Sequence, residues 1–374
     1  MRVLHIINTL AAGGAELHLF TLAKRQKTLG AEVTVVCFRS KVRDTRSLHE
    51  DFKKEGIPVI SLEANNRFNV VSLLKLPFIL KKNRFDLIHT HLPRADFAGI
   101  LCKLFFPELP WICSIHDIYS GSWSARKLLP LMNRIWNQAD GVIAISHAVK
   151  NWLITDQNME KNKVVVIHYG VETDIFDHFM GDFRSKLGLN GNKIVGTIGR
   201  LEYRKGHETL IRAMDVVCKQ FPQAMLLIAG PDTWGYAKIL HNLIDKLKLN
   251  NSVHLLGFVR DIPSFLHAID IFAFATFSEG FGQVIIEAMA AGKPIVASNI
   301  SPVDEIVLDR TTGLLAGLGN PEEFARSIVW LLKQPNSAKE MGRLGALRVR
   351  ENFNAERMTL KTFQFYQEIM NRSG

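Results

Sequence analysis

The chain reads as an α/β protein of two doubly wound parallel sheets. Short apolar, β-branched runs alternate with helical patterns almost from end to end. The alternation pauses once, between about residues 170 and 192, and then restarts. The length, 374 residues, also exceeds what a single hydrophobic core usually fills. Parallel strands need crossover connections, and these lay helices over both faces of each sheet.

In the first half the expected strands are Val3–Asn8, Val33–Phe38, Asp86–His89, Trp111–Ile115, Gly141–Ser146 and Val164–His168. Helical spacing runs through Ala15–Leu29, Val70–Lys82 and Arg94–Phe105, with Pro77 expected to kink or break the second. The opening Met1-Arg2, followed by the apolar Val3–Ala12, faintly imitates a secretory signal. It reads better as a buried strand entering a glycine turn. In the second half the expected strands are Lys193–Ile198, Met225–Ala229, Ser252–Leu255, Asp270–Phe274 and Pro294–Ala297. Helices near 206–219, 235–248, 282–291 and 321–333 separate them. The expected domains are therefore 1–170 and 171–354. Residues 355–374 form a terminal helix that packs back on the first domain through Phe363, Phe365 and Tyr366. Ligands of such sheets bind at the carboxyl ends of the strands, so a cleft between the two domains is the expected site.

With 47% hydrophobic and 22% charged residues, the chain is neither disordered nor fibrous. Its four cysteines have no C-x-x-C spacing, which argues against a disulfide scaffold and a structural zinc site and fits a reducing cytoplasm. No apolar run reaches the roughly 18 residues of a membrane-spanning helix. The net charge of +10 is uneven: residues 1–170 carry 23 Lys and Arg against 14 Asp and Glu, leaving the remainder at +1. That split suggests an anionic partner for the first half, a phosphorylated lipid, a membrane surface or nucleic acid, against the alternative of a basic surface that only aids solubility.

The densest chemical signal is Ser278-Glu279-Gly280-Phe281-Gly282-Gln283-Val284-Ile285-Ile286-Glu287-Ala288-Met289-Ala290. A strand enters a glycine-rich loop and a helix opens near Gly282, offering free backbone N–H groups to a phosphate. Glu279 precedes the helix and Glu287 lies inside it, so the two carboxylates can reach opposite ends of a ligand. Alone, this pattern also describes a tight turn before an ordinary helix. A second cluster adds cations: strand Lys193–Ile198 ends in Gly199-Arg200, and Tyr203-Arg204-Lys205-Gly206-His207 follows. A guanidinium fork with an ammonium suits a diphosphate.

Together, Arg200…Lys205-Gly206 and Glu279-x7-Glu287 resemble the retaining family 4 glycosyltransferases (glycosyl transferases group 1) of the GT-B fold, which has two Rossmann-like domains facing across a cleft. Gly257-Phe258-Val259, Pro294-Ile295-Val296-Ala297-Ser298 and Thr312-Gly313-Leu314-Leu315 extend the resemblance over nearly the whole chain. It implies that residues 1–170 bind acceptor and 171–354 bind the nucleotide sugar. It assigns Glu279 to the donor hexose, Glu287 to the ribose, Arg200 and Lys205 to the diphosphate, and Gly257, Phe258 and Val259 to the border of the base. Phe281, Gly282, Gln283 and Val284 line the phosphate seat. In the first domain Gly13 and Gly14 match the family's glycine-rich loop after strand one, and His116 matches its active-site histidine. Two departures are visible. Asn299–Glu305 stands where relatives often carry a glycine pair, which puts donor identity in doubt, and Tyr169 stands where they often carry Asn.

The implied function is α-retaining transfer of a hexose-type sugar, UDP-linked by preference over GDP, to a lipid-linked or surface-glycan acceptor. The reaction is expected to be metal-independent and without a cofactor, the nucleotide sugar being a co-substrate. Asp-x-Asp is absent, and the pair His89-x-His91 lacks a third ligand in the sequence. A glycosidase, a GT-B-fold nucleotide-sugar epimerase and a non-catalytic nucleotide-sugar-binding protein are the competing readings. The first does not need the phosphate-seating cations, the Glu-x7-Glu pattern disfavours the second, and all four charged residues argue against the third. No nucleic-acid motif is present. Arg39, Lys41 and Arg43 after strand two, and Trp123, Arg126 and Lys127 past His116, mix basic with aromatic character. They are the candidate acceptor or membrane contacts, with the protein peripheral at the inner face of the cell membrane.

Overall fold

A computed structural model of the chain describes residues 1–39, 46–62, 73–119, 123–177 and 183–373. The fold divides into two compact units. One comprises Met1–Gly170 with Ala355–Gly374, and the other Val171–Asn354.

The first unit is built on a seven-stranded sheet of order β3-β2-β1-β4-β5-β6-β7. Its strands are β1 (Arg2–Thr9), β2 (Glu32–Arg39), β3 (Val59–Ser61), β4 (Leu87–His91), β5 (Trp111–Ile115), β6 (Gly141–Ala144) and β7 (Val164–Val166). All neighbouring pairs are parallel. The second unit holds six parallel strands in the order β10-β9-β8-β11-β12-β13. These are β8 (Lys193–Ile198), β9 (Ala224–Ala229), β10 (Val253–Gly257), β11 (Ile271–Phe274), β12 (Ile295–Ser298) and β13 (Gly313–Ala316). Two Rossmann-like α/β units result, with near-continuous apolar strands buried on both faces.

The short edge strands β3 and β13 were not expected, because three or four residues give too little period-2 pattern to stand out. The helices Ile262–Ala268 and Pro335–Asn352 were also unmarked. Pro77 does not interrupt a helix: it stands in the first turn of Leu76–Asn83, where the missing N–H has no intrahelical partner to lose.

Helix α1 (Gly14–Thr28) has Glu16 in its first turn and Arg25 and Lys27 in its last, which complements the helix dipole at both ends. It covers one face of the first sheet together with α2 (Ala355–Ser373), the final helix. Phe365, Tyr366 and Ile369 of α2 pack with Val3, Leu22, Leu87, Ile112 and Ile143. Tyr366 is fully buried there, so Tyr366→Ala is expected to destabilise the first unit by about 3–5 kcal/mol in chemical denaturation, the cost of an aromatic-to-alanine cavity.

Candidate active site

Both sheets reverse strand order beside their first strand, at β1/β4 and at β8/β11. At such a point successive crossovers leave on opposite faces and a crevice opens at the carboxyl edge. In the second unit, the loops leaving β8 and β11 therefore meet. Gly206 makes that meeting possible: its φ is +66°, and a Cβ there would lie 1.9 Å from the carbonyl oxygen of Ala275. The backbone N–H of Phe277 donates to Arg204 O at 2.8 Å and locks the loops together.

The result is a buried ion pair. Lys205 Nζ donates to Glu279 Oε1 at 2.5 Å, with only 13% and 10% of the two side chains exposed. Thr276 Oγ1, 2.9 Å from the same oxygen, adds a second donor that the sequence did not point to. Taking either charge out of water alone would be costly; paired, each offsets that cost for the other, and the ammonium keeps two further donors. Arg200, at the end of β8, is half-exposed and reaches Glu202 at 3.4 Å. His207 Nε2 donates to Arg200 O at 2.9 Å and ties this loop back on itself.

Helix α3 (Gln283–Ala290) opens at Gly282, whose φ of +116° favours glycine. No side chain caps its first turn, leaving backbone N–H groups to a ligand. Gln283 donates to Glu287 Oε1 at 3.0 Å, while its own Oε1 is buried with no hydrogen-bond partner. Phe281 is buried against Phe353 and Val284 is partly buried. Burial pushes the Glu287 carboxyl up to about 7, against the Gln283 hydrogen bond that lowers it. Gly257, with φ +65°, ends β10, and the Phe258 ring is exposed beyond it. This places Gly257–Val259 on the same carboxyl edge as Glu279, three strands across, at about 14 Å by strand spacing.

In the first unit, Gly13 precedes α1 with an ordinary extended φ of −142°, so the turn itself does not demand glycine there. A Cβ would meet the Glu16 carboxylate at 2.7 Å, and Gly14 is exposed. His116 follows β5 and is buried, with both ring nitrogens engaged: Nδ1 at 2.5 Å from Tyr169 OH and Nε2 at 3.2 Å from His91 Nδ1. Burial lowers its pKa to about 3 and holds the ring neutral. His18 stacks on Tyr169 with ring centroids 4.2 Å apart. Tyr169 thus belongs to the surroundings of His116.

His89 and His91 acquire the third imidazole that the sequence did not show, His5. All six ring nitrogens of the trio already share hydrogen bonds, with one another or with Gln26, His116, Tyr366 and Ser114.

Of the candidate acceptor or membrane contacts, Arg39 ends β2 and is partly buried. It lies near Arg94, a cation not singled out from the sequence, whose pKa is lowered by burial and then by the Arg39 charge. Lys41 and Arg43 lie outside the described residues. Trp123, Arg126 and Lys127 sit on the helix Trp123–Trp136. The side chains of Trp123 and Arg126 are outside the described set; Lys127 is exposed, as are Leu128 and Leu131. Among the described residues no helix is long and apolar enough to cross a membrane.

Residues 12–175 match the family Glycosyltransferase Family 4, and residues 180–348 match Glycosyl transferases group 1. The chain belongs to the family 4-like glycosyltransferases of the GT-B fold. A relative of this transferase, the capsular polysaccharide biosynthesis glycosyltransferase CapM of Staphylococcus aureus, is 25% identical, covering 95% of this chain and 97% of its own. The Escherichia coli UDP-Gal:alpha-D-GlcNAc-diphosphoundecaprenol alpha-1,3-galactosyltransferase is 25% identical over 80% of this chain and 79% of its own. The solved structure of Anabaena Alr3699/HepE in complex with UDP-glucose aligns at a TM-score of 0.88 and 25% identity, covering 98% of this transferase and 100% of that chain.

Glu287 yields a prediction for the free transferase. Between about pH 4.5 and 7 the folded state keeps a proton that the unfolded state releases, so this group's contribution to stability falls as pH rises through that window. Glu287→Gln is expected to stabilise the protein by about 1–2 kcal/mol at pH 8 and to make no difference at pH 4, as read by thermal denaturation.

Proposed function

We propose that this transferase moves a hexose-type sugar with retention of anomeric configuration, from a UDP-linked donor to a lipid-linked or surface-glycan acceptor. The observation that carries this reading is the buried Lys205–Glu279 pair beside the uncapped opening of α3. An anionic diphosphate seated on the helix N-terminus draws the Lys205 ammonium and the Arg200 guanidinium, and Glu279 is left to accept from the sugar hydroxyls. Glu287, protonated or ionised, takes the ribose hydroxyls. The bond between C1 and the phosphate oxygen breaks as the acceptor oxygen bonds C1 on the same face. The acceptor proton passes to the departing phosphate. Negative charge develops on the leaving diphosphate, so two preorganised cations lower the barrier without a metal ion. His116, neutral and with both nitrogens engaged, acts as a fixed ring rather than a proton shuttle.

The choice of UDP draws on the complexes of the Anabaena protein and the donor named for the E. coli relative. A donor screen scored by nucleotide release and thermal shift tests it, and turnover with GDP-sugars alone would reverse the choice. Glu279→Gln keeps a hydrogen-bond partner for Lys205 and is expected to slow transfer about 10²–10³-fold; Arg200→Ala with Lys205→Ala is expected to slow it as much, and both lower stability because a buried charge loses its counter-charge. Near wild-type turnover in either would overturn the site. Full activity is expected in excess chelator; loss of activity restored by magnesium or manganese would rule against metal independence.

Acceptor or membrane docking falls to the basic first unit. Lys127 with the exposed Leu128 and Leu131 on one helix, and Arg39 with Arg94, are the contacts that support it. Binding to vesicles containing anionic lipid is expected to weaken steeply with salt, since each basic residue near the surface contributes about 1 kcal/mol within a Debye length of roughly 8 Å. Lys127→Ala with Leu128→Ser and Leu131→Ser is expected to lower vesicle binding while leaving UDP affinity unchanged. Salt-indifferent binding would remove the membrane role.

A further inference from the structure

Beneath His116 a chain of buried polar groups crosses the first unit. His5 on β1 is in register with His89 on β4, and His91 with Ser114 on β5, so alternate residues of one sheet face bring these side chains together. The chain begins at Gln26 on α1. Gln26 Oε1 lies 2.8 Å from His5 Nε2, His5 Nδ1 lies 3.0 Å from His91 Nε2, and His91 Nδ1 lies 3.2 Å from His116 Nε2. It ends on the Tyr169 hydroxyl at 2.5 Å from His116 Nδ1. A branch leaves the same amide: Gln26 Nε2 donates to Tyr366 OH at 3.2 Å, and that hydroxyl lies 2.5 Å from His89 Nδ1. His89 Nε2 is 2.7 Å from Ser114 Oγ.

Hydrogen counting orders this network. Burial keeps each imidazole neutral, His5 being lowered to about 4 and His89 and His91 well below their ordinary value. A neutral ring has one N–H and one acceptor nitrogen. The amide oxygen of Gln26 only accepts, so His5 donates from Nε2 and must accept at Nδ1. His91 then donates from Nε2 and accepts at Nδ1. His116 in turn donates from Nε2, and its Nδ1 accepts the Tyr169 hydroxyl hydrogen. On the branch, Tyr366 accepts from the amide and donates to His89 Nδ1, leaving His89 to donate from Nε2 to Ser114. All four rings carry the Nε2–H tautomer. The hydroxyls at the ends of the network donate or accept with equal ease, so they impose no direction. Gln26 alone has one end that only donates and one that only accepts.

We infer that Gln26 is a positioning residue: its amide orientation sets the tautomer of His116 through His5 and His91, across ring-to-ring steps of 5.2 and 5.3 Å. Turning the amide over would invert every imidazole in the network at once. Its importance for transfer rests on the assignment of His116 to the reaction centre; the tautomer itself does not.

The test is ¹⁵N NMR of the histidine rings in the full chain, with His116 assigned by substitution. The wild type is expected to show His116 as Nε2–H alone. Gln26→Met, of similar volume and without the amide, is expected to give a mixture of both tautomers at His5, His91 and His116. Tyr169→Phe removes the hydroxyl at the other end and is expected to leave His116 as Nε2–H, because direction comes from Gln26. An unchanged tautomer in a folded Gln26→Met protein, or an inverted one in Tyr169→Phe, overturns the inference. Turnover separates the two ideas. A mixed tautomer with kcat lowered on the order of tenfold supports both, since inverting the ring reverses the hydrogen bond it shares with Tyr169 and disturbs the fixed surroundings of the reaction centre. A mixed tautomer with unchanged kcat supports the role of Gln26 and removes His116 from the reaction centre.

Discussion

Each unit of this transferase depends on one topological constraint: strand order reverses beside the first strand of its sheet, at β1/β4 and at β8/β11. A parallel sheet buries both faces under crossover helices, so only its edges and ends remain for chemistry. Where the order reverses, the crossovers part and the loops at the carboxyl ends of two central strands become neighbours. Lys205 and Glu279 lie 74 positions apart in sequence and meet because β8 and β11 are adjacent there. Gly206 completes the approach by removing the side chain that would collide with Ala275.

The same arrangement explains how charge is held in a largely dry place. The Lys205–Glu279 pair is nearly enclosed, and Glu287 on α3 has its carboxyl raised to about 7 by burial. Gln283 is held to Glu287 through its amide nitrogen and leaves its oxygen unpaired. In the free protein these groups satisfy one another only in part. Their spare capacity points to a ligand rich in hydroxyls and anionic oxygens, consistent with a nucleotide sugar.

The first unit solves a different problem, placing polar groups inside an otherwise apolar sheet face. Four imidazoles, two tyrosines, a glutamine and a serine form one hydrogen-bonded set within the core that α1 and α2 cover. Such a network tolerates little partial loss, because each unpaired member would bear its full desolvation cost. The final helix contributes Tyr366, which is why residues far along the chain belong physically to the first unit.

By itself the sequence determined the α/β class, most central strands, the restart of the pattern in the second half, and the residues of the Glu279–Glu287 segment. These are local properties: period-2 and period-3.6 patterning, glycine-rich turns and short motifs all act over a few neighbouring residues. Edge strands β3 and β13 escaped because they are too short to carry a period. Thr276 escaped because a hydroxyl next to an ion pair has no signature. The third imidazole beside His89 and His91 escaped for a different reason: His5 is more than 80 positions away, and only the parallel pairing of β1 with β4 brings it into register. The helix at Trp123–Trp136 and the closeness of Arg39 to Arg94 were likewise settled by packing. Chemistry that needs one residue type in one turn is written in the chain. Chemistry that needs two distant side chains within about 3 Å exists only once the sheets have chosen their strand order.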